Sequence, residues 1–277
     1  MKTARLLSGE QVPVLGMGTW MLGERDNRRS AEIAALQHGI DLGMTLIDTA
    51  EMYGDGASEE LVGEAIRGRR DQVFLVSKVY PFNANQPAMT KACENSLKRL
   101  DVDCLDLYLL HWRGDIPLTE TIATFEQLQA AGKIRHWGVS NFDSDDMEEL
   151  FAIPGGKRCS VNQVLYNLSR RGIEWNLRPW CAKHEVPVMA YSPLEQARLL
   201  KHPQLDTLAH ECGATPAQLA LAWLLRQDGL IAIPKASGPQ HVAENYKALT
   251  LALNKETLSG LDRIFPPPRG PSRLEML

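Results

Sequence analysis

The sequence lacks the apolar segments that insert a chain into a membrane or carry it across one. No apolar run approaches the roughly 20 residues needed to span a bilayer. The first ten residues, MKTARLLSGE, contain only two adjacent leucines, whereas a secretory leader requires an apolar stretch of about 7 to 15 residues. We therefore expect a cytoplasmic protein with no membrane association.

The chain also has few cysteines and no block of charge of one sign. Its five cysteines are scattered and form no C-x-x-C pair, which predicts reduced thiols rather than a disulfide framework or a thiol metal site. Lys plus Arg total 30 against 34 for Asp plus Glu, a net charge of −4, which argues against nucleic acid as the main partner. The histidines show no H-x-H or H-E-x-x-H spacing, so we expect no metal site. Nothing in the sequence indicates an obligate protein partner.

What the sequence does contain is a regular alternation of apolar runs and amphipathic segments. Eight short runs rich in Val, Ile and Leu are typical of buried parallel strands; they lie at 14–20, 45–50, 73–79, 104–112, 134–141, 160–164, 186–193 and 230–237. Helical patterns lie at 28–43, 58–66, 89–100, 118–133, 177–184, 215–227 and 241–249. Such repetition predicts parallel strands joined by right-handed crossovers.

Eight such units in 277 residues favour a closed (β/α)₈ TIM barrel, which typically takes about 250 residues as one unit. The alternative is a doubly wound sheet with an appendage. No composition shift or linker divides the chain, so we predict a single domain over 1–277. Residues 1–12 are expected to form a short hairpin over one barrel end. The Pro-rich tail, 265–277, is expected to be a loop or an arm.

Seven of the eight predicted strands end in polar side chains, and these ends converge on one face of a barrel. The residues are Asp48, Lys78, His111, Ser140, Asn141, Gln163, Tyr191, Ser192 and Lys235. Active sites of (β/α)₈ barrels lie at that face. Buried charges are also expensive unless they are paired. We therefore expect the site of chemistry there.

Four residues suggest a particular chemistry. Asp48, Lys78 and His111 end three successive strands, and Tyr53 lies in the loop after the first of them. A phenol is a weak acid with an ordinary pKa of about 10, and a neighbouring ammonium lowers that pKa. An aspartate would hold the lysine, and a histidine could orient a carbonyl oxygen. The set predicts a proton donor aimed at an oxygen atom.

The motifs around these residues resemble those of the aldo-keto reductases, and the match covers nearly the whole chain. The segments that carry it are LGMGTW (15–20), LIDTAEMYGDG (46–56), VSKV (76–79), LDLYLLHW (105–112), GKIRHWGVSN (132–141), NQV (162–164), YSPL (191–194) and the region 233–245. Their order and spacing make the resemblance specific. It implies a (β/α)₈ barrel that reduces aldehydes and ketones with a nicotinamide cofactor, NADPH in preference to NADH.

The resemblance also implies a catalytic tetrad of Asp48, Tyr53, Lys78 and His111. Hydride would pass from the nicotinamide to the carbonyl carbon, and Tyr53 would donate the proton to the nascent alkoxide. Lys78, paired with Asp48, would lower the pKa of Tyr53. His111 would hydrogen-bond the carbonyl oxygen.

The same resemblance assigns residues to the nicotinamide end of the cofactor. Ser140, Asn141 and Gln163 match those that hold the carboxamide, and Tyr191 matches the aromatic that stacks on the ring. Three residues at the end of the first barrel strand are assigned to the cofactor as well: Gly18, Thr19 and Trp20.

At the other end of the cofactor, residues after strands seven and eight match the phosphate and adenine sites, in keeping with the usual phosphate site of such barrels. They are Ser192 and Leu194 for the pyrophosphate, Lys235 and Ser237 for the 2′-phosphate, and Glu244 and Asn245 for the adenine. His241 stands where many members have an arginine, and imidazole is smaller and mostly neutral at pH 7. Because Lys235 remains, we still expect NADPH to be preferred.

The substrate pocket is expected to be lined by aromatic side chains beside the tetrad, which suit a small carbonyl compound. The residues are Trp20, Tyr53, Tyr80, His111 and Trp112, with Phe82 a further possibility. The stretch 49–66 and the short tail resemble small bacterial members that reduce methylglyoxal and other 2-oxoaldehydes, and a short tail predicts an open pocket. Two alternatives are a non-catalytic NADP(H)-binding regulatory barrel and an unrelated barrel lyase or isomerase.

Overall fold

The computed structural model describes residues 2–277 and arranges them around a barrel of eight parallel strands. Each of the eight predicted apolar runs coincides with one strand, to within one residue at the end of β8, because a strand covered on both faces is apolar throughout. The strands are β3 (Met17–Gly18), β4 (Leu46–Asp48), β5 (Phe74–Val79), β6 (Leu105–Leu110), β7 (Ile134–Ser140), β8 (Asn162–Leu165), β9 (Val188–Tyr191) and β10 (Leu230–Ala232).

The sheet follows the chain order from β3 to β10, and backbone hydrogen bonds join its first and last strands. Gly16 N donates to Ala232 O at 2.9 Å, and Ala232 N donates to Val14 O at 2.8 Å. Gly18 N donates to Pro234 O at 3.1 Å. A doubly wound sheet would place its first strand in the interior of the order and leave two open edges. The closed (β/α)₈ barrel is therefore confirmed.

Ten α-helices lie in the described part of the chain. They are α1 (Asp26–Asp41), α2 (Ala57–Ile66), α3 (Gln86–Leu100), α4 (Leu118–Ala130), α5 (Ser144–Ala152), α6 (Leu177–Lys183), α7 (Pro203–Glu211), α8 (Pro216–Leu225), α9 (Pro239–Lys247) and α10 (Lys255–Ile264). All seven predicted helices are present, whereas α5, α7 and α10 were not predicted. None of the helices within residues 2–277 is both long and apolar enough to cross a bilayer.

The amino-terminal segment forms the predicted hairpin, from β1 (Thr3–Arg5) and β2 (Gln11–Pro13). Its inward-facing side chains join the hydrophobic core. Glu10, in the hairpin turn, pairs with Arg135 at 2.8 Å and with His136 at 2.6 Å. Both partners lie at the start of β7, so the hairpin covers the amino ends of the strands, opposite the predicted site.

The tail after α10 has no regular structure, as expected, but it is held against the barrel. Leu274 is half-buried on the core, and the Glu275 carboxylate accepts a hydrogen bond from Arg170 Nη1 at 2.5 Å. The tail is therefore an arm laid over the carboxyl ends of the strands.

Candidate active site

A buried ion pair occupies the centre of the barrel mouth. Lys78 Nζ, on β5, donates to Asp48 Oδ2, on β4, at 2.7 Å, and the two side chains are 0% and 2% exposed. An unpaired charge at this depth would be strongly unfavourable, so each group requires the other. The predicted pairing of these residues is present.

Tyr53 reaches this pair from the loop after β4. Two glycines behind it, Gly54 and Gly56, adopt φ values of 57° and 97°, a region that favours glycine, and turn the loop inward. Lys78 Nζ donates to Tyr53 Oη at 3.1 Å and to the backbone oxygen of Thr49 at 2.9 Å. With the bond to Asp48, all three ammonium protons are engaged and the phenol is fixed.

The pKa of Tyr53 is raised above its ordinary value, chiefly because burial disfavours the phenolate. The charge of Lys78 and its hydrogen bond lower the pKa of Tyr53, as the resemblance implies, but burial is the larger effect and sets the net direction. Burial also lowers the pKa of Lys78, but Asp48 and Tyr53 outweigh it and leave the lysine pKa raised. The site therefore contains an ammonium beside a protonated phenol.

His111 follows β6 and completes the group. Its ring centroid lies 6.0 Å from that of Tyr53 in an edge-on arrangement, and its Nδ1 is buried without a hydrogen-bond partner. Burial and the charge of Lys78 lower the pKa of His111 to about 2. The imidazole is therefore neutral at physiological pH and has hydrogen-bonding capacity that the protein leaves unused.

Aromatic side chains surround the mouth above the tetrad. The Tyr80 ring packs edge-on against Trp112 at 5.9 Å and stacks on Phe82 at 4.6 Å, while Trp20 is 43% exposed on the β3 side. Sequence reasoning gave no role to Glu51, yet its Oε1 accepts a hydrogen bond from Tyr80 N at 2.8 Å. Glu51 thereby holds the start of the aromatic segment in place.

The residues matched to the nicotinamide are bonded directly to this machinery. Gln163 Nε2 donates to Asp48 Oδ1 at 2.7 Å, and Asn141 Nδ2 donates to the backbone oxygen of His111 at 3.1 Å. Tyr191 Oη donates to Asn141 Oδ1 at 3.0 Å. The ends of β7, β8 and β9 therefore form one hydrogen-bonded surface beside the tetrad. Ser140 joins it by donating to the backbone oxygen of Gln163 at 2.8 Å.

At the end of β3, two of the assigned residues have little freedom. Thr19 is fully buried, and its hydroxyl donates to the backbone oxygen of Asp48 at 3.0 Å. A Cβ added to Gly18 would lie 2.8 Å from Ile233 O, so only glycine allows this close approach of β3 to the segment after β10. Of the three residues assigned here, only Trp20 presents an exposed side chain.

The residues matched to the phosphates and adenine lie after β9 and β10. Lys235 is exposed and has no carboxylate partner within 4 Å in the described part of the chain. Ser237 is half-buried just before α9, which begins at Pro239. His241 is exposed in the first turn of that helix. Further along α9, Asn245 is buried and Glu244 is held by Gln218 at 2.7 Å and Lys247 at 2.6 Å.

A polar cluster behind Ser192 was missed by sequence reasoning. Asn167, after β8, donates to Ser192 O at 2.9 Å and to Glu195 Oε2 at 2.8 Å. Arg170 Nη2 donates to the other oxygen of Glu195 at 3.0 Å. Asn167 is fully buried. A polar residue just after an apolar strand was the available signal, but its partner lies 28 residues away along the chain.

Comparison with known proteins agrees with this geometry. The model of the aldo/keto reductase family matches residues 14–265, so the chain belongs to that family. It is 51% identical to the methylglyoxal reductase YeaE of Escherichia coli, over 96% of this chain and 95% of that protein. It is 34% identical to a glyoxal reductase of Bacillus subtilis, over 99% and 97% of the two chains.

Solved structures of the same family are also similar. An aldo/keto reductase from Klebsiella pneumoniae, crystallised with NADP and acetate, superimposes with a TM-score of 0.97 at 54% identity, covering 100% of this chain and 99% of that one. The thermostable aldo-keto reductase Tm1743, crystallised with an inhibitor, gives a TM-score of 0.88 at 41% identity, over 95% and 100%. The resemblance to the aldo-keto reductases is thus confirmed by both sequence and structure.

Proposed function

We propose that this protein is an NADPH-dependent reductase that converts aldehydes and ketones to alcohols, with methylglyoxal and related 2-oxoaldehydes among its substrates. The observation that carries the proposal is the Lys78 ammonium, which bonds both Asp48 and Tyr53 beside a neutral His111. The named activities of the Escherichia coli and Bacillus subtilis relatives support the choice of 2-oxoaldehydes. Five free thiols suit a reducing compartment, and we place the enzyme in the cytoplasm.

The donor set at the barrel mouth fits a phosphorylated nicotinamide dinucleotide. The amides of Asn141 and Gln163 lie beside Tyr191, whose ring can cover an aromatic base. Lys235 supplies an exposed cation near the start of α9, and this cation suits the 2′-phosphate of the cofactor. The similar Klebsiella pneumoniae enzymes were crystallised with NADP and with NADPH. The nicotinamide supplies the hydride when it is bound.

The chain itself supplies the proton and the orientation. Tyr53 remains protonated at neutral pH and is the group placed to donate a proton to an oxygen in the mouth. Lys78 stabilises the phenolate that this transfer leaves behind, and Asp48 keeps the ammonium in position. Because His111 is neutral, its imidazole can hydrogen-bond the carbonyl oxygen without competing with Tyr53 as an acid.

The aromatic residues select for a compact carbonyl compound with an apolar side. Trp20, Tyr80 and Trp112 border the mouth, and their ring faces exclude water from the reacting atoms. The tail contributes few residues to this border, which leaves room for several aldehydes. Neither feature requires one particular substrate, so activity over a range of aldehydes is expected.

The proposal is tested by following NADPH consumption with methylglyoxal, an aromatic aldehyde, a keto sugar and a quinone. Wild-type turnover with 2-oxoaldehydes is expected, and Tyr53→Phe should abolish it while keeping cofactor binding. Tyr108→Phe is the matched control, because the Tyr108 hydroxyl is buried without a partner and away from the tetrad. Cofactor binding without turnover of any carbonyl would instead favour the non-catalytic regulatory role. Absence of cofactor binding would refute both.

A further inference from the structure

One arginine joins the tail to the loop after β9. Arg170 Nε and Nη2 donate to Glu195 Oε1 at 3.1 and 3.0 Å, and Arg170 Nη1 donates to Glu275 Oε1 at 2.5 Å. A guanidinium carries five N–H donors in a rigid planar fork, so it can bond two carboxylates in different directions. The side chain therefore bridges two segments that are 80 residues apart in the sequence.

The loop that Arg170 holds has an uncommon backbone. Ser192, Glu195, Gln196 and Ala197 have φ values of 49°, 49°, 52° and 66°, a region that residues other than glycine rarely adopt. Such a backbone persists only where side-chain contacts fix it. Glu195 provides those contacts: it is 4% exposed, and both of its oxygens accept hydrogen bonds from the segment after β8. The loop conformation thus depends on the charge and hydrogen bonds of Glu195.

The tail, in turn, ends beside the group matched to the nicotinamide ring. The backbone of Leu277 lies close enough to the Tyr191 phenol to oppose the burial that raises its pKa to about 12. Leu274, three residues before Leu277, packs on the core. Glu275, between them, is the tail's ionic anchor. The tail therefore contacts Arg170, which holds the loop after β9, and also contacts Tyr191.

We propose that Arg170 is a positioning residue that couples the tail to the loop at 192–197, so that docking of the tail stabilises the conformation in which the loop holds the cofactor pyrophosphate. This inference rests on the proposed function, which assigns that loop to the cofactor. The bond to Glu275 restrains the Arg170 guanidinium in the orientation that also bonds Glu195. Removing the Glu275 carboxylate would therefore leave Arg170 less firmly positioned against Glu195. Cofactor binding and tail docking then favour each other, as linkage requires.

The first test compares Glu275→Gln with Glu64→Gln. Glu64 is a matched control: it pairs with Arg29 at 2.6 Å on the outer helices, and both glutamates have side chains that are 41% exposed. The Kd for NADPH is measured by quenching of protein fluorescence with no carbonyl present. Glu275→Gln should raise the Kd by about three- to tenfold, and raise KM for NADPH with kcat unchanged. Glu64→Gln should leave all three at wild-type values.

The second test is a double-mutant cycle with Arg170→Lys, which keeps the charge but cannot span two carboxylates. Lysine at 170 should weaken NADPH binding by at least as much as Glu275→Gln, and adding Glu275→Gln to it should change the Kd no further. An unchanged Kd in Glu275→Gln, or additive effects in the cycle, would overturn the coupling. Loss of NADPH affinity or turnover in the wild type would instead refute the proposed function. Urea midpoints for each variant separate unfolding from a local effect.

Discussion

Gln163 and Lys78 each bind a different oxygen of the Asp48 carboxylate, both at 2.7 Å. Gln163 comes from β8, four strands away from β4 in the barrel order and thus on its opposite side. The carboxylate is fixed from two directions and cannot rotate away from the ammonium. Gln163, which the resemblance matches to the nicotinamide carboxamide, therefore belongs to the same hydrogen-bond network as Tyr53, the proposed proton donor.

The first prediction concerns the stability of the buried pair. Lys78→Met should lower the free energy of unfolding by about 3 kcal/mol or more, because Asp48 would remain buried without its counter-ion. Replacing both residues, Asp48→Asn with Lys78→Met, should recover much of that loss, since no unpaired charge is left. Urea denaturation measures both variants. Carbonyl reduction should be absent from both, and a double variant no more stable than Lys78→Met would contradict the argument.

The second prediction concerns the pH dependence of turnover. A proton donor works while it is protonated, and burial raises the pKa of Tyr53 above the ordinary phenol value. The rate with saturating NADPH should therefore be flat from about pH 6 to about pH 9 and fall only as the pH passes about 10. Initial rates across this range provide the measurement. An alkaline decline centred near pH 7 to 8 would show that the lysine charge dominates after all.

A third prediction concerns stability in mild acid. The pKa of His111 is lowered from 6.5 to about 2 in the folded protein, so below pH 6.5 the unfolded chain binds a proton that the folded chain does not. Stability is thus lost as the pH falls, by about 2 kcal/mol between roughly pH 8 and pH 5 from this group. His111→Gln should remove that part of the decline in unfolding free energy. If the unfolding free energies of the wild type and of His111→Gln fell in parallel with pH, this prediction would be refuted.

The fourth prediction concerns the choice between NADPH and NADH. Lys235→Ala should lower the ratio of kcat/KM for NADPH over NADH about tenfold, or about 1.4 kcal/mol of barrier, since only NADPH carries the 2′-phosphate. His241→Arg should raise the ratio, because arginine adds a permanent, forked cation. Lys255→Ala, an exposed lysine on α10, serves as the control. Equal or better efficiency of the wild type with NADH would overturn the assignment of Lys235.

The strands and the clustering of Asp48, Tyr53, Lys78 and His111 were predictable because both leave local marks in the sequence. A strand buried on both faces is a continuous apolar run, and a charged residue at its end, such as Asp48 or Lys78, contrasts with that run. Closure of the barrel then brings the carboxyl ends of the strands together, independently of the conformations of the loops. Helix α10 also had such marks, since Leu258, Leu261 and Ile264 recur at helical spacing and Asn254 accepts from the Thr257 backbone N–H as an N-terminal cap, yet it was not predicted.

The links between loops could not be predicted in the same way. The contacts of Arg170 with Glu195 and Glu275 span 25 and 105 residues and follow no period, so only the folded backbone brings them together. The net direction of the Tyr53 pKa shift, which depends on burial and on the charge of Lys78, could not be predicted either. The sequence identifies Lys78 as a neighbour, but the depth of the phenol, which sets the sign of the pKa shift, is a property of the packed barrel.

The amino-terminal hairpin has a practical consequence. Because Glu10 ties it to Arg135 and His136 at the start of β7, anything attached ahead of Lys2 would emerge at the closed end of the barrel. An extension after Leu277 would instead emerge beside Tyr191. Immobilising the enzyme on an electrode or a bead through its amino terminus should therefore leave the reaction face open, whereas attachment through its carboxyl terminus should obstruct it.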